Sequence, residues 1–248
     1  SSYAFISVQG DYADASIASG ETCSISGLGI PDDQFKFYYQ TDYPHVAFCG
    51  ATDHTDSCES GSNSICSSGC GVTSLAMLIA NLSDDTSFDP IAANEEAQNN
   101  GGCAVGSGTY DSLFTNIANS HDGFRYEKLA NTKEGANNAV AAIRDGALIV
   151  ANVQANSPFT NGGHWIVLRG ITEDGMVKVA DPYSEERSTT GTYNIEDFID
   201  KNWLDGHSWF AIYGPKSEEI KPMNDAASET GAVGEVIDTT NGLKGQFF

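Results

Sequence analysis

An α+β fold in two halves is what the sequence predicts, helices first and an antiparallel sheet after. Three observations predict it. A stretch from residue 68 is apolar nearly all round, through Val72, Leu75, Ala76, Met77, Leu78, Ile79 and Leu82, and reads as a central helix buried in a core. Four short runs, ALIVANV, GHWIVLRGI, MVKVADP and SWFAIYG, lie within residues 147–213 and read as strands. Between the second and third runs, Glu173-Asp174-Gly175 is a hairpin signal, which makes those strands antiparallel. With 248 residues, 40% of them hydrophobic and 10% aromatic, the chain is long and apolar enough for such a core.

Each element has its own justification. Residues 1–34 carry acids but no base and are punctuated by Gly10, Gly20, Gly27, Gly29 and Pro31. They read as short strands and turns, an accessory segment laid over a domain that spans 35–214. FKFYYQ, at 35–40, is an aromatic, strand-like run. A loop rich in Asp, Ser and Gly follows over 41–68, with three cysteines; a loop that long is functional or covalently tied. The central helix takes Ser67 or Ser68 as its N-cap and stops at Asn81 with Ser83, Asp84 and Asp85. Weaker helical signals cover 91–99, 112–118 and 135–144. After Pro215 the chain is polar and reads as an acidic tail or linker over 215–248, closed by Phe247-Phe248 as a docking element or a truncation scar.

Charge and cysteine usage bound the function. Thirty-four acids against 12 bases leave a net −22, which excludes nucleic acid and anionic membranes as partners, since both demand a basic face. No run of 18 apolar residues is present. Cys23, Cys49, Cys58, Cys66, Cys70 and Cys103 all fall in the first half, among polar loops, a usage that predicts a secreted protein with disulfides. The sequence starts at Ser1 without a basic or apolar leader, so a signal peptide is expected to have been removed or left out.

The chemistry is concentrated in three places. SSGCGVTSLAMLIANL puts Cys70 in the first turn of the buried helix, where the N-terminal partial charge lowers a thiol's pKa. Gly69 and Gly71 let another backbone approach, and N–H groups at that end can hold an oxyanion. His164 opens the strand WIVLRGI, and Asp181 ends MVKVAD. With 172–175 as the hairpin loop, Ile166 opposes Asp181, Leu168 opposes Val179 and Gly170 opposes Val177. His164 and Asp181 then share one face as diagonal neighbours about 7 Å apart at Cβ, within reach of a hydrogen bond. A carboxylate on one ring nitrogen fixes the tautomer and leaves the other to take a thiol proton. Nucleophile, base and orienting acid form a triad that needs no metal or cofactor.

The order Gln, Cys at a helix start, His at a strand start and Asp after the next strand resembles the papain-like cysteine peptidase superfamily. The wording GCGVTSLAM, then HWIVLRGI and ADP, is similar to its bacterial double-glycine (bacteriocin-processing) peptidase-like branch, over about residues 35–213. The resemblance implies a papain-like fold and peptide-bond hydrolysis through a thioester, by a monomer acting on a peptide or protein substrate. It implies Cys70 as nucleophile, His164 as base, Asp181 as orienting acid and Gln40 as oxyanion donor. Val72 stands where many relatives have Pro, and an insertion with Cys49, Cys58 and Cys66 separates Gln40 from Cys70.

Other readings remain open on the residues alone. With Cys70 free, five cysteines are left; the short loop favours Cys49 with Cys58, then Cys66 with Cys103, with Cys23 over. Pairing all six would remove the nucleophile and leave a catalytically silent binding module stapled by disulfides. Cys49, His54, Cys58, Cys66 and Cys70 could instead hold zinc, though at poor spacing. The same triad also suits an amidase or endopeptidase of cell-wall peptides. His45, His54, His121 and His207 read as surface or structural residues, and Trp165, Trp203 and Trp209 as core or groove wall. The acids at 53–59 and Asp84-Asp85 could bind calcium but lack the EF-hand spacing. Asn81-Leu82-Ser83 is a formal glycosylation sequon.

Overall fold

The computed structural model describes residues 27–231. Strand β1 (Leu28–Gly29) precedes α1 (Ile65–Ser68), α2 (Cys70–Leu82) and α3 (Pro90–Asn99). A small hairpin, β2 (Cys103–Ala104) and β3 (Gly108–Thr109), leads into α4 (Ser112–Thr115) and α5 (Ile117–Ser120). Next come β4 (Arg125–Lys128), α6 (Lys133–Arg144), β5 (Leu148–Val153), β6 (His164–Ile171) and β7 (Val177–Ala180). The described residues end with α7 (Glu185–Thr189), β8 (Thr192–Tyr193), α8 (Asp197–Asp200), β9 (Trp209–Tyr213) and α9 (Ser217–Gly231).

The fold is the expected α+β arrangement, a helical half packed on an antiparallel sheet. Among the described residues the main sheet runs β4-β9-β5-β6-β7-β8, with β1 added on β6. Its central strands read as continuous apolar runs because both faces are covered. Val150, Val167, Phe210 and Ile212 face the core built around α2, while Ile149, Ile166, Leu168 and Ala211 face a second core against α6 and Phe198. Every residue of β6 is buried. The four expected strands are present, and the weak signals at 91–99 and 135–144 are α3 and α6. The signal at 112–118 is split into α4 and α5 around Asn116.

Several expectations are corrected. FKFYYQ joins no sheet: the Asn81 side chain accepts from the Lys36 N–H at 2.8 Å and donates to its carbonyl at 2.9 Å, as a neighbouring strand would. The run therefore lies extended against the end of α2, and Asn81 of the sequon is buried in that contact. Leu168 faces Val179 as expected, but a bulge beyond it gives Gly170 Lys178 as its partner, not Val177. The polar stretch after Pro215, expected as tail or linker, opens with α9. Its Asn224 accepts from the Gly29 N–H and donates to the Ile143 and Arg144 carbonyls, capping α6. Residues 1–26, Cys23 and Phe247-Phe248 lie outside the described residues.

The disulfide pairing is also different from the expected one. The bridges are Cys49–Cys103 and Cys58–Cys66, with Cα separations of 5.9 and 4.8 Å. The cause is local. Asn94 on α3 accepts from the Cys49 N–H and donates to the Ala47 carbonyl, turning Cys49 toward β2. The Ser62 and Ser64 hydroxyls both donate to the Ser57 carbonyl at 2.6 Å, folding the loop so that Cys58 meets Cys66. With Cys49, Cys58 and Cys66 in bridges, the zinc reading loses three of its five ligands.

Candidate active site

Cys70 is placed by a break between two helices. Ser64 and Ser67 cap α1 reciprocally, side chain to backbone at 3.2 Å each way. Gly69 then serves as the N-cap of α2, in place of the expected Ser67 or Ser68. A Cβ on Gly69 would lie 2.5 Å from the Ile65 carbonyl oxygen, so only glycine lets α1 close onto α2 there. Cys70 is the first residue of α2, half-buried and free of any bridge. One on Gly71 would lie 2.3 Å from the Thr109 side chain, so the β2–β3 hairpin closes over the helix start.

The sheet brings the other two residues to the same place. His164 is the first residue of β6, and its Nε2 lies 2.8 Å from Asp181 Oδ1. Asp181 follows β7, fully buried, with its Oδ1 also accepting from the Tyr183 N–H at 2.8 Å. Its backbone N–H donates to Ser188 Oγ at 2.8 Å. Cys70 and His164 line the same groove and each shifts the titration of the other, so Cys70, His164 and Asp181 form one row. Gln40, also buried, lies alongside: its N–H donates to the Pro182 carbonyl at 2.8 Å and its Nε2 to the Cys66 carbonyl at 2.6 Å. An amide nitrogen carries two hydrogens, so one remains to donate elsewhere. All four residues are thus brought together around a groove of about 600 Å³ lined by Gln40, Cys70 and His164.

Electrostatics favour a charged pair. Burial pushes the Cys70 thiol up, but the hydrogen bond and charge of His164, with the N–H groups of Trp165 and Gly71, outweigh it and lower its pKa. For His164, burial works against the charged form, yet its bonds to Asp181 and Cys70 and their charges carry it up to about 9. Asp181 is raised by burial, but bonds from His164, Arg187 and Tyr183 bring it below the usual carboxylate range. Both shifts run in the same sense, toward a thiolate beside an imidazolium.

A sequence profile described as the Peptidase_C39 like family matches residues 33–208. The chain belongs to the Peptidase_C39 like family. Membership carries with it a relationship to the papain-like cysteine peptidases, and the α+β fold agrees with it. No curated protein matches the chain. Within this family member the match contains Gln40, Cys70, His164 and Asp181, and leaves β1, β9 and α9 outside.

Sequence reasoning missed two cations of this C39-like site. Arg187 donates from Nε to Asp181 Oδ2 at 2.5 Å, from the short helix α7 capped by Ser184. Arg169 is buried at the bulge, stacked near Phe35 and Phe37, and donates to the Val179 and Ser188 carbonyls and to Asp32. Arg169 thereby fixes Ser188, which in turn holds Asp181. A signal existed: in a chain with only 12 bases, an Arg six residues past the Asp is worth testing against it. Arg169, inside an apolar strand, required a buried acceptor set that periodicity does not reveal.

Proposed function

We propose that this protein is a secreted cysteine peptidase of the double-glycine peptidase-like kind, hydrolysing peptide bonds through a thioester acyl-enzyme. The observation that carries this reading is the row Cys70, His164, Asp181, with a free thiol at the groove floor and an imidazole held by a buried carboxylate. The two intramolecular bridges support export to an oxidising compartment. The free Cys70 argues against a silent module in which all six cysteines are paired.

In this mechanism the Cys70 thiolate attacks the scissile carbonyl carbon, forming a C–S bond while the carbonyl electron pair moves onto oxygen. The remaining Gln40 amide hydrogen and the Cys70 N–H, which as the first in its helix has no intrahelical acceptor, stabilise that oxyanion. As the intermediate collapses, the C–N bond breaks and the amine leaves with the His164 proton. Water then attacks the thioester carbonyl, gives its proton to His164, and the C–S bond breaks to release the acid. Asp181 keeps Nε2 of the ring occupied throughout, so that Nδ1 faces the thiol.

The test is intact-mass analysis after iodoacetamide treatment near about pH 6 without reductant, on wild type and Cys70→Ala. At that pH an ordinary thiol is almost wholly protonated and labels slowly. Rapid single labelling in the wild type, absent from Cys70→Ala, is expected, together with hydrolysis of a mixed-peptide substrate pool by the wild type alone. Slow labelling equal in both proteins, or peptide hydrolysis undiminished in Cys70→Ala, would overturn the assignment.

A further inference from the structure

Beside the reacting groups, the groove wall is uncharged with one exception. The side chains lining it from the helical half are Ser, Gly, Asn and Gln, and from the β5–β6 loop Phe159, Thr160 and Asn161. Arg187 alone brings a permanent charge, and among the described residues no acid lines the groove. In a chain carrying 34 acids and 12 bases, a groove wall with a cation and no anion runs against the overall charge balance. Glu185 and Glu186 sit on the same helix as Arg187 but do not line it.

The guanidinium is only partly used. Its Nε is committed to Asp181, and one terminal nitrogen makes a long 3.4 Å contact to the Phe159 carbonyl. The other, Nη1, donates to none of the described residues, and the side chain remains 28% exposed. A planar guanidinium anchored along one edge presents its remaining N–H groups in a fixed direction, the geometry suited to a carboxylate. Position says which part of a substrate it meets. Arg187 and His164 bind the two oxygens of one carboxylate, Asp181, so Arg187 lies on the His164 side of the groove. His164 protonates the leaving amine in the mechanism above, so that side receives the leaving fragment.

We infer that Arg187 is a specificity-determining residue that selects, for this site, peptides carrying a carboxylate on the leaving fragment just beyond the scissile bond. The carboxylate belongs either to an acidic side chain or to the peptide's own C-terminus. The inference rests on the peptidase reading for its orientation, and on Arg187 and the uncharged groove wall for its chemistry.

The test uses matched peptides that differ only beyond the scissile bond: Glu against Gln with an amidated end, and a free against an amidated C-terminus on a neutral residue. For each pair kcat/KM is measured on wild type, Arg187→Lys and Arg187→Gln. The readout is the carboxylate-to-amide ratio within one protein, which cancels any general loss through Asp181. A ratio of about tenfold or more in wild type is expected, smaller in Arg187→Lys and near one in Arg187→Gln. Whichever pair shows it identifies the source of the carboxylate. The same ratio read as Kd on Cys70→Ala, against the Cys70→Ala/Arg187→Gln double variant, is independent of turnover. A binding ratio without cleavage in wild type would sink the peptidase reading and keep the carboxylate site. A ratio near one in both measurements, or one unchanged by Arg187→Gln, would overturn the inference.

Discussion

At the scale of single residues, the site is a balance between burial and three short contacts. Cys70→Ala is expected to abolish peptide hydrolysis while leaving the melting temperature unchanged, because a methyl group suits the half-buried position. His164→Ala is expected to lower kcat/KM by about three to four decades, and Asp181→Asn by less, since it removes orientation and not the base itself. Gln40→Ala is expected to cost about a hundredfold in kcat with little change in KM, the pattern of a group felt only by the oxyanion. The pH profile has a definite sign. His164 is charged below about 9 and Cys70 loses its proton below its ordinary value, so the ion pair is populated between the two. Hydrolysis should therefore fall on an alkaline limb at about 9, as the imidazolium loses the proton the leaving amine needs. A profile that climbs through pH 9 without falling would contradict the charged pair.

At the scale of elements, the two bridges anchor different walls of the groove. Cys58–Cys66 fixes the turn whose Cys66 carbonyl holds Gln40, and Cys49–Cys103 fixes the hairpin that covers the start of α2. Loop closure predicts about 2–3 kcal/mol lost when the short bridge is replaced by Ser pairs and about 4 kcal/mol for the long one. Denaturant titration of the two double variants should show that order, with the short-bridge variant losing kcat as Gln40 loosens. Asn224→Ala should cost about 1–3 kcal/mol by stranding the Gly29 N–H and the Arg144 carbonyl, while the Ile143 carbonyl keeps the Gly146 N–H, measurable as a lower unfolding midpoint at unchanged m. These connections also explain what could be read from the sequence. Strands β5, β6, β7 and β9 were legible because both faces are buried, and α2 because it is apolar all round. The His164 and Asp181 juxtaposition was legible because the bulge lies beyond Leu168, toward the hairpin loop, leaving the register intact at the other end. The aromatic run at 35–39 was not, because strand propensity does not say whether the partner is a strand or one Asn side chain. Strand β4 was hidden because all four of its residues are exposed, and α9 because Glu218, Glu219, Pro222 and Asp225 give it an exposed polar start. The disulfide pairs were illegible because they depend on where Asn94 and Ser57 turn the chain.

At the scale of the whole molecule, a net −22 opposes compaction, since like charges are closer in the folded chain than in the unfolded one. Added salt shortens the range of that repulsion, so the melting temperature should rise between low ionic strength and about 0.5 M NaCl. A flat or falling curve would show that local ion pairs outweigh the global field. The division of labour along the chain has a further consequence for how the protein matures. Every cysteine precedes His164 and Asp181, so during synthesis the thiols leave the ribosome before the groups that activate Cys70. Until β6 and β7 assemble, Cys70 is one ordinary thiol among its neighbours, with no kinetic advantage in exchange reactions. The two bridges can therefore close first, and the reactive sulfur is created last, when the partners it would scramble are already sealed.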